Sequence, residues 1–233
     1  MRGVAIQVNI QLLQLQGSTF KYESNKQPNS SIYYTNPQRL PTTTLRVNAA
    51  VSRKAQQLIQ SGKVRPILPK DAASVMESEG YVLLDVRPEW EREKARVSGS
   101  AHVPLFVKDM DSSLLTLLKK WVHFGYIGLW TGQNFTMINP DFVNQVEGEF
   151  PDKDSKIILA CGEGLRSMMA VSKLHEEGYK NLGWLAGGFS RAADNDFLAV
   201  EGTEKLQFAT IGGVSYYFLK LLILLQAFGK KES

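Results

Sequence analysis

Ile157-Ile158-Leu159-Ala160-Cys161-Gly162-Glu163-Gly164-Leu165-Arg166-Ser167 is an apolar run that opens at once into a short glycine-bearing loop. The run has the length of a buried strand, and the residues after Gly164 continue at helical spacing toward Gly178, so the pattern predicts strand, loop and helix in that order. Cys161, the single cysteine of the 233-residue chain, stands at the base of the loop and Arg166 at its far end. Backbone N–H groups of the loop and the N-terminus of the following helix point partial positive charge at the sulfur, which favours the thiolate, its nucleophilic form. The same donors would hold an anion, or a terminal sulfur carrying negative charge. A lone cysteine behind a buried strand is otherwise a small apolar core residue. The two glycines and the arginine five positions on tilt the balance toward chemistry.

Working outward, the spacing predicts a helix over 52–60 ended by Ser61-Gly62, a strand over 64–68, a helix over 71–79 and a strand over 81–86. An edge strand over 102–105, the central strand over 156–161, a helix over 164–177 and a strand over 181–186 follow, before Gly187-Gly188. Strands alternating with helices imply crossover connections, hence an α/β fold with a parallel sheet covered by helices on both faces.

Cys161-Gly162-Glu163-Gly164-Leu165-Arg166-Ser167 resembles the C-x-x-G-x-R-S loop of the single-domain rhodaneses, the sulfurtransferases. Tyr81-Val82-Leu83-Leu84-Asp85-Val86-Arg87-Pro88-Glu89-Trp90 is similar to that family's strand ending in Asp-Val-Arg, which an acidic-aromatic pair follows. Gly99-Ser100-Ala101-His102-Val103-Pro104 resembles its G-A-x-N-x-P segment, and Leu185-Ala186-Gly187-Gly188 its L-x-G-G turn. The likeness spans roughly residues 64 to 200 and is interrupted at about 106–139. It implies a three-layer domain in which Cys161 takes sulfur from thiosulfate or another persulfide and passes it to an external thiol or cyanide. Gly162, Glu163, Gly164, Leu165 and Arg166 would line the substrate loop. Four residues separate Cys161 from Arg166. The cell-cycle phosphatases that share this fold have one more, so sulfur rather than phosphate fits the ring. No second cysteine exists to resolve a persulfide internally, so the acceptor must be another molecule.

Particular residues qualify that reading. The planar fork of Arg166 suits an oxyanion donor, with pairing to Glu163 or another acid as the competing role. Glu163 opposes an incoming dianion by like-charge repulsion. Asp85 and Arg87, at a strand end, are expected to lock neighbouring loops rather than meet substrate. Where many family members carry Gly-His-Ile this chain has Ala95-Arg96-Val97, which removes a histidine from the entrance. The alternative is therefore a catalytically weak module of the same fold that docks onto a chloroplast membrane complex.

Composition bounds the rest. The net charge of +4 is carried by residues 1–50, where Arg2, Lys21, Lys26, Arg39 and Arg46 stand against Glu23; the remainder balances, so the basic pI gives no argument for nucleic acid. That segment is rich in Ser, Thr, Asn and Gln and lacks the apolar core of a secretory signal, the features of an organelle transit peptide. Val47-Asn48-Ala49-Ala50 resembles the V-x-A-A sites at which chloroplast precursors are processed. His102, His123 and His175 are too far apart in sequence for a short metal-binding spacing, and no metal or other cofactor is expected. The expected organisation is a 1–50 leader, a domain over 51–203 with its insert, and a hydrophobic helix and tail over 204–233.

Two segments lie outside the resemblance. Leu114, Leu115, Leu117, Leu118, Trp121, Val122 and Phe124 recur at helical spacing beside Lys119 and Lys120, so an amphipathic helix is expected. It packs over the active loop, or else residues 114–135 meet a partner or a membrane surface. Residues 206–228 are long enough to span a bilayer, with Lys220 the one charge inside. A transmembrane anchor, in the thylakoid if the chain is plastidic, competes there with a helix docked on the domain or a partner.

Overall fold

The structure is a computed structural model and describes residues 53–229; the leader expected at 1–50, with its processing site, lies outside the described residues. Helix α1 covers residues 53–60. The chain then runs through β1 (Val64–Ile67), α2 (Pro69–Glu79), β2 (Val82–Asp85), α3 (Glu89–Arg92), β3 (Ala95–Val97), β4 (Ala101–His102) and β5 (Phe106–Lys108). Next come α4 (Leu114–His123), a π-helical turn (Phe124–Gly128), α5 (Leu129–Thr131), β6 (Thr136–Ile138) and α6 (Phe142–Glu149). The order closes with β7 (Ile157–Ala160), α7 (Leu165–Glu176), β8 (Leu182–Leu185), β9 (Val200–Gly202) and α8 (Gly213–Gly229).

Five strands form one parallel sheet in the order β1-β8-β7-β2-β4, which is the expected α/β architecture. β7 is flanked by β2 and β8, and all four of its residues are buried. Its side chains alternate between two cores: Ile157 and Leu159 join Phe142, Val146, Val171 and Leu174 on one face. Ile158 and Ala160 join Ala72, Val75, Phe189 and Phe197 on the other. A strand covered on both faces has no use for a polar residue, which is why the run reads as continuous apolar sequence. Helix α2 starts earlier than its acidic first turn suggests, because Pro69 at its N-terminus has no N–H to leave unpaired. It stops at Gly80, whose φ of +74° an L side chain adopts only with strain.

The edge strand is shorter than expected, since pairing with β2 ends at Asp85 opposite His102. Two small antiparallel ladders were not anticipated: β3 with β9, and β5 with β6. Each strand in them has three residues, too few to show a period. Helices α3 and α6 were likewise not read from the sequence.

The insert forms a continuous helical segment, bracketed by the β5–β6 ladder. Ser113 caps it by accepting the Thr116 N–H, and Asp111 buttresses the cap. The Thr116 hydroxyl first, then Ser113, hold the Asp111 carboxyl at about 2. Packing over the active loop is not what the insert does. Leu114, Leu115, Leu117, Leu118, Trp121 and Tyr126 are all exposed, Tyr126 by 82%. The apolar stripe faces outward.

The C-terminal expectation is corrected more fully. Residues 206–228 do not form one helix: Leu206–Phe208 is a 3-10 turn, and Leu206 and Ala209 are buried in the domain core. The chain breaks at Gly212, and α8 begins at Gly213, whose φ is +59°. At 17 residues, α8 rises about 26 Å, less than the ~30 Å hydrocarbon thickness. Among the described residues no helix is long and apolar enough to cross a membrane, so the transmembrane anchor and the thylakoid assignment that followed from it find no support. Lys220 instead bridges to Glu204 at 3.0 Å, tying α8 to the domain.

Candidate active site

β7 delivers Cys161 to the carboxyl end of the sheet, and four positions on α7 starts. Gly164 makes the turn at φ +91°. Its N–H donates to the Cys161 sulfur at 3.1 Å, and the Ser167 N–H does so at 3.3 Å. The Ser167 hydroxyl lies 3.4 Å from the same sulfur and donates to the Gly164 carbonyl at 2.9 Å. A sulfur that faces two backbone donors at the start of a twelve-residue helix is placed to hold negative charge.

The loop keeps its shape because a second turn is pressed against it. The N–H groups of Phe189 and Ser190 donate to the carbonyls of Cys161 and Gly162, each at 2.8 Å. Gly188, at φ +64°, comes so near that a Cβ there would strike the Cys161 and Gly162 carbonyl oxygens and the Gly164 nitrogen. Glycine at this position is a matter of backbone contact. From the adjacent strand, the Trp184 indole N–H donates to the Gly164 carbonyl at 2.9 Å.

Asp85 and Arg87 act as the expected lock. Both side chains are fully buried; Arg87 donates through Nε and Nη2 to the Asp85 carboxylate, and Nη2 also reaches the Ala95 carbonyl at 2.7 Å. The guanidinium stacks 4.4 Å from the Phe189 ring centroid. The lock therefore bears on the residue whose N–H holds the Cys161 carbonyl.

Of the loop residues singled out from the sequence, Cys161 is 0% exposed, Gly162 and Gly164 are buried, Glu163 is exposed, and Leu165 is 63% exposed. Arg166 is not free to meet an oxyanion. Its Nη1 and Nη2 donate to the two carboxylate oxygens of Glu91 at 2.7 and 2.6 Å. Burial alone pulls the Arg166 guanidinium down, but Glu91, together with the nearby Cys161 sulfur, outweighs it and holds the group well above its ordinary range. Glu163 takes no part in that pair. Thr210 adds a third member, its hydroxyl donating to Glu91 at 3.1 Å.

Glu91, Gly188 as a backbone wedge, Trp184 and Thr210 were all missed by sequence reasoning. Glu91 and Arg166 are 75 residues apart, so no local period links them. Gly188 alone had a signal, in the Gly-Gly turn already quoted. His102 sits 2.8 Å from the Arg87 carbonyl and 3.3 Å from Glu89. Among the described residues no three His, Cys, Asp or Glu side chains gather as metal ligands.

Residues 68–194 match the family model described as Rhodanese-like domain. Rhodanese-like domain-containing protein 10 of Arabidopsis thaliana is 66% identical over 188 residues, covering 81% of this chain and 87% of its own. Rhodanese-like domain-containing protein 11, chloroplastic, of the same plant is 41% identical over 72% of this chain and 57% of its own. Rhodanese-like domain-containing protein 9, chloroplastic, is 38% identical over 58% of this chain and 57% of its own.

Proposed function

The chain belongs to the rhodanese-like domain family, and from that premise we propose that it is a sulfurtransferase working through a Cys161 persulfide. The observation that carries the reading is the convergence of the Gly164 and Ser167 N–H groups on the Cys161 sulfur. In the first step the Cys161 thiolate attacks the outer sulfur of thiosulfate or of a persulfide. A new S–S bond forms, the donor's S–S bond breaks, and sulfite or the donor thiolate leaves with the electron pair. The terminal sulfur of Cys161-S-S⁻ then carries the charge that the loop donors hold. In the second step an external thiolate or cyanide attacks that terminal sulfur and Cys161 departs as thiolate. Splitting one transfer into two displacements is covalent catalysis, and it needs no change in oxidation state of the protein as a whole.

Arg166 in this reading positions the loop from its far end, with Glu91 as its permanent counterion. Its fork, already engaged by Glu91, argues for persulfide donors ahead of thiosulfate, since a dianion meets a guanidinium whose charge the Glu91 carboxylate offsets. The chloroplast is the proposed compartment, on the leader composition and on the two relatives that carry that word in their names. Intact-mass measurement after incubation with a persulfide donor and with thiosulfate tests the activity. A gain of one sulfur atom that disappears in Cys161→Ser is expected; no gain with either donor removes the reading.

The burial of Cys161 favours a second reading, a docking module in which the outward apolar faces of α4 and α8 do the work. Leu221, Leu222, Ile223, Leu224 and Leu225 are consecutive and each is 41 to 57% exposed. Together with the outward leucines of α4 they leave exposed apolar surface of the kind a lipid interface covers. Flotation of the full chain with anionic vesicles is the expected result for this reading. Protein that stays at the bottom of the gradient, with and without Leu222→Glu, removes it.

A further inference from the structure

We propose that residues 206–213 form a strap that closes over the Cys161 loop and that Thr210 is its latch, so that sulfur donors and acceptors reach Cys161 only when the strap lifts. The proposal rests on the reading of Cys161 as the reacting sulfur. The strap lies beyond residues 68–194, the part that matches the family model.

The contact is close and specific. The Thr210 side chain occupies the place a Cβ on Gly162 would need, with its methyl 3.0 Å and Arg166 Nη2 3.1 Å from that point. Gly162 is thus the floor on which the latch rests, and any larger residue there would push it off. From above, the Thr210 hydroxyl donates to Glu91 Oε2, the same oxygen that accepts Arg166 Nη2. Strap, carboxylate and loop arginine make one polar chain across the rim. Cys161, beneath it, has no exposed surface.

The strap is fastened on both sides of the latch. On one side Leu206 and Ala209 are buried among Leu83, Ala160 and Phe189. On the other, Lys94 Nζ donates to the Ile211 carbonyl at 2.9 Å. Gly212 and Gly213 follow, and a Cβ on either would meet the backbone of α5 and of Gly132. Lifting therefore breaks the hydrogen bonds from Thr210 to Glu91, from Lys94 to the Ile211 carbonyl and from the Ile211 N–H to the Phe208 carbonyl, while the apolar anchors stay in place. Glycine's broad conformational range at 212 and 213 supplies the hinge. In-line attack on a donor sulfur requires that sulfur to lie against Sγ, and a fully covered Sγ leaves it no approach with the strap down. The Thr210–Glu91 bond is exchanged for water on opening, so each cycle costs little.

Iodoacetamide labelling of the full chain under native conditions, followed by intact mass, tests the strap without requiring sulfur transfer, because the chain has one thiol. The wild type is expected to label slowly compared with the same chain in urea. Thr210→Gly removes the latch and Lys94→Ala loosens the far fastening; each should raise the native rate about tenfold through a more populated open state. Thr210→Ser retains the hydroxyl and should stay near the wild-type rate. Wild-type labelling as fast as in urea overturns the proposal. So does a rate unchanged in both Thr210→Gly and Lys94→Ala when their melting curves match the wild type. Faster labelling without any sulfur gain would leave the strap standing and remove sulfur transfer; sulfur gain with strap-independent labelling would do the reverse.

Discussion

Ile157-Ile158-Leu159-Ala160 and Leu221-Leu222-Ile223-Leu224-Leu225 are nearly interchangeable as composition and opposite as structure. The first is buried at every residue, and the second is exposed at every residue. The strand is covered because its two faces meet α7 and α6 on one side and α2 with the 189–191 turn on the other. The helix has the domain on one flank alone, through Gly132 against Gly213 and through Glu204. Apolarity states a demand for cover; topology decides whether the chain itself meets it. Where it does, the residues build the site, and where it does not, they remain for something outside the chain.

The contrast breaks first at the buried charge. Arg87→Ala leaves Asp85 buried without its partner, and a loss of about 3–5 kcal/mol in urea unfolding is expected. Lys220→Ala, which opens the pair between a half-exposed lysine and Glu204, should cost about 1 kcal/mol or less. Equal losses would mean that α8 belongs to the same cooperative core as the sheet.

Next comes packing. Leu159→Ala should destabilise by about 2–5 kcal/mol, as a cavity in a close-packed layer does. Leu222→Ala should stay within ~0.5 kcal/mol. A large effect at Leu222 would show that the helix is covered in solution, for instance by a second copy of the chain.

Gly188→Ala sharpens the comparison at the site itself. A side chain there must displace the Cys161 carbonyl and adopt a left-handed φ, a strain of about 1–3 kcal/mol. The expected readout is loss of the sulfur mass gain with the melting temperature moved only modestly. Retained sulfur loading would show that the second turn is not what holds the loop.

The smallest effect is a pH dependence confined to α8. The Tyr216 hydroxyl, first, and Lys220 hold the Glu204 carboxyl below the usual glutamate range, with burial opposing them. A carboxyl lowered in the folded chain adds stability above its unfolded value of ~4.3, and the contribution is lost as pH falls through its folded value. Amide hydrogen exchange in α8 should therefore accelerate below about pH 4 while β7 stays protected. Glu204→Gln should abolish the difference; exchange that rises equally in both elements would contradict a local origin.

The sheet and the cysteine loop were legible because each rests on contiguous sequence: a four-residue apolar strand, a glycine turn, a helix. The Asp85–Arg87 lock was legible for the same reason, two residues apart on one strand end. Glu91 was not, since its value lies in a carboxylate meeting an arginine 75 residues further along the chain. Of the two roles expected for Arg166, meeting an anion from solution and pairing with an acid of the chain, the Glu91 contact meets the second. Thr210 was hidden by a run of apolar residues that reads as one helix, although Gly212-Gly213 marks the break. The outward face of α4 could not be deduced from amphipathicity, because a stripe at period 3.6 names a face and not the thing it faces.

Trp184 gives the loop an optical handle. Its indole is bonded to the carbonyl of Gly164, whose own N–H meets the sulfur, so one glycine touches both chromophore and reactive atom. Moving negative charge from that sulfur to the terminal sulfur of a persulfide repolarises the peptide units on either side of Gly164 and is expected to shift the indole's emission. With Trp90, Trp121 and Trp130 replaced by phenylalanine, the remaining fluorescence reports turnover in real time, without a label.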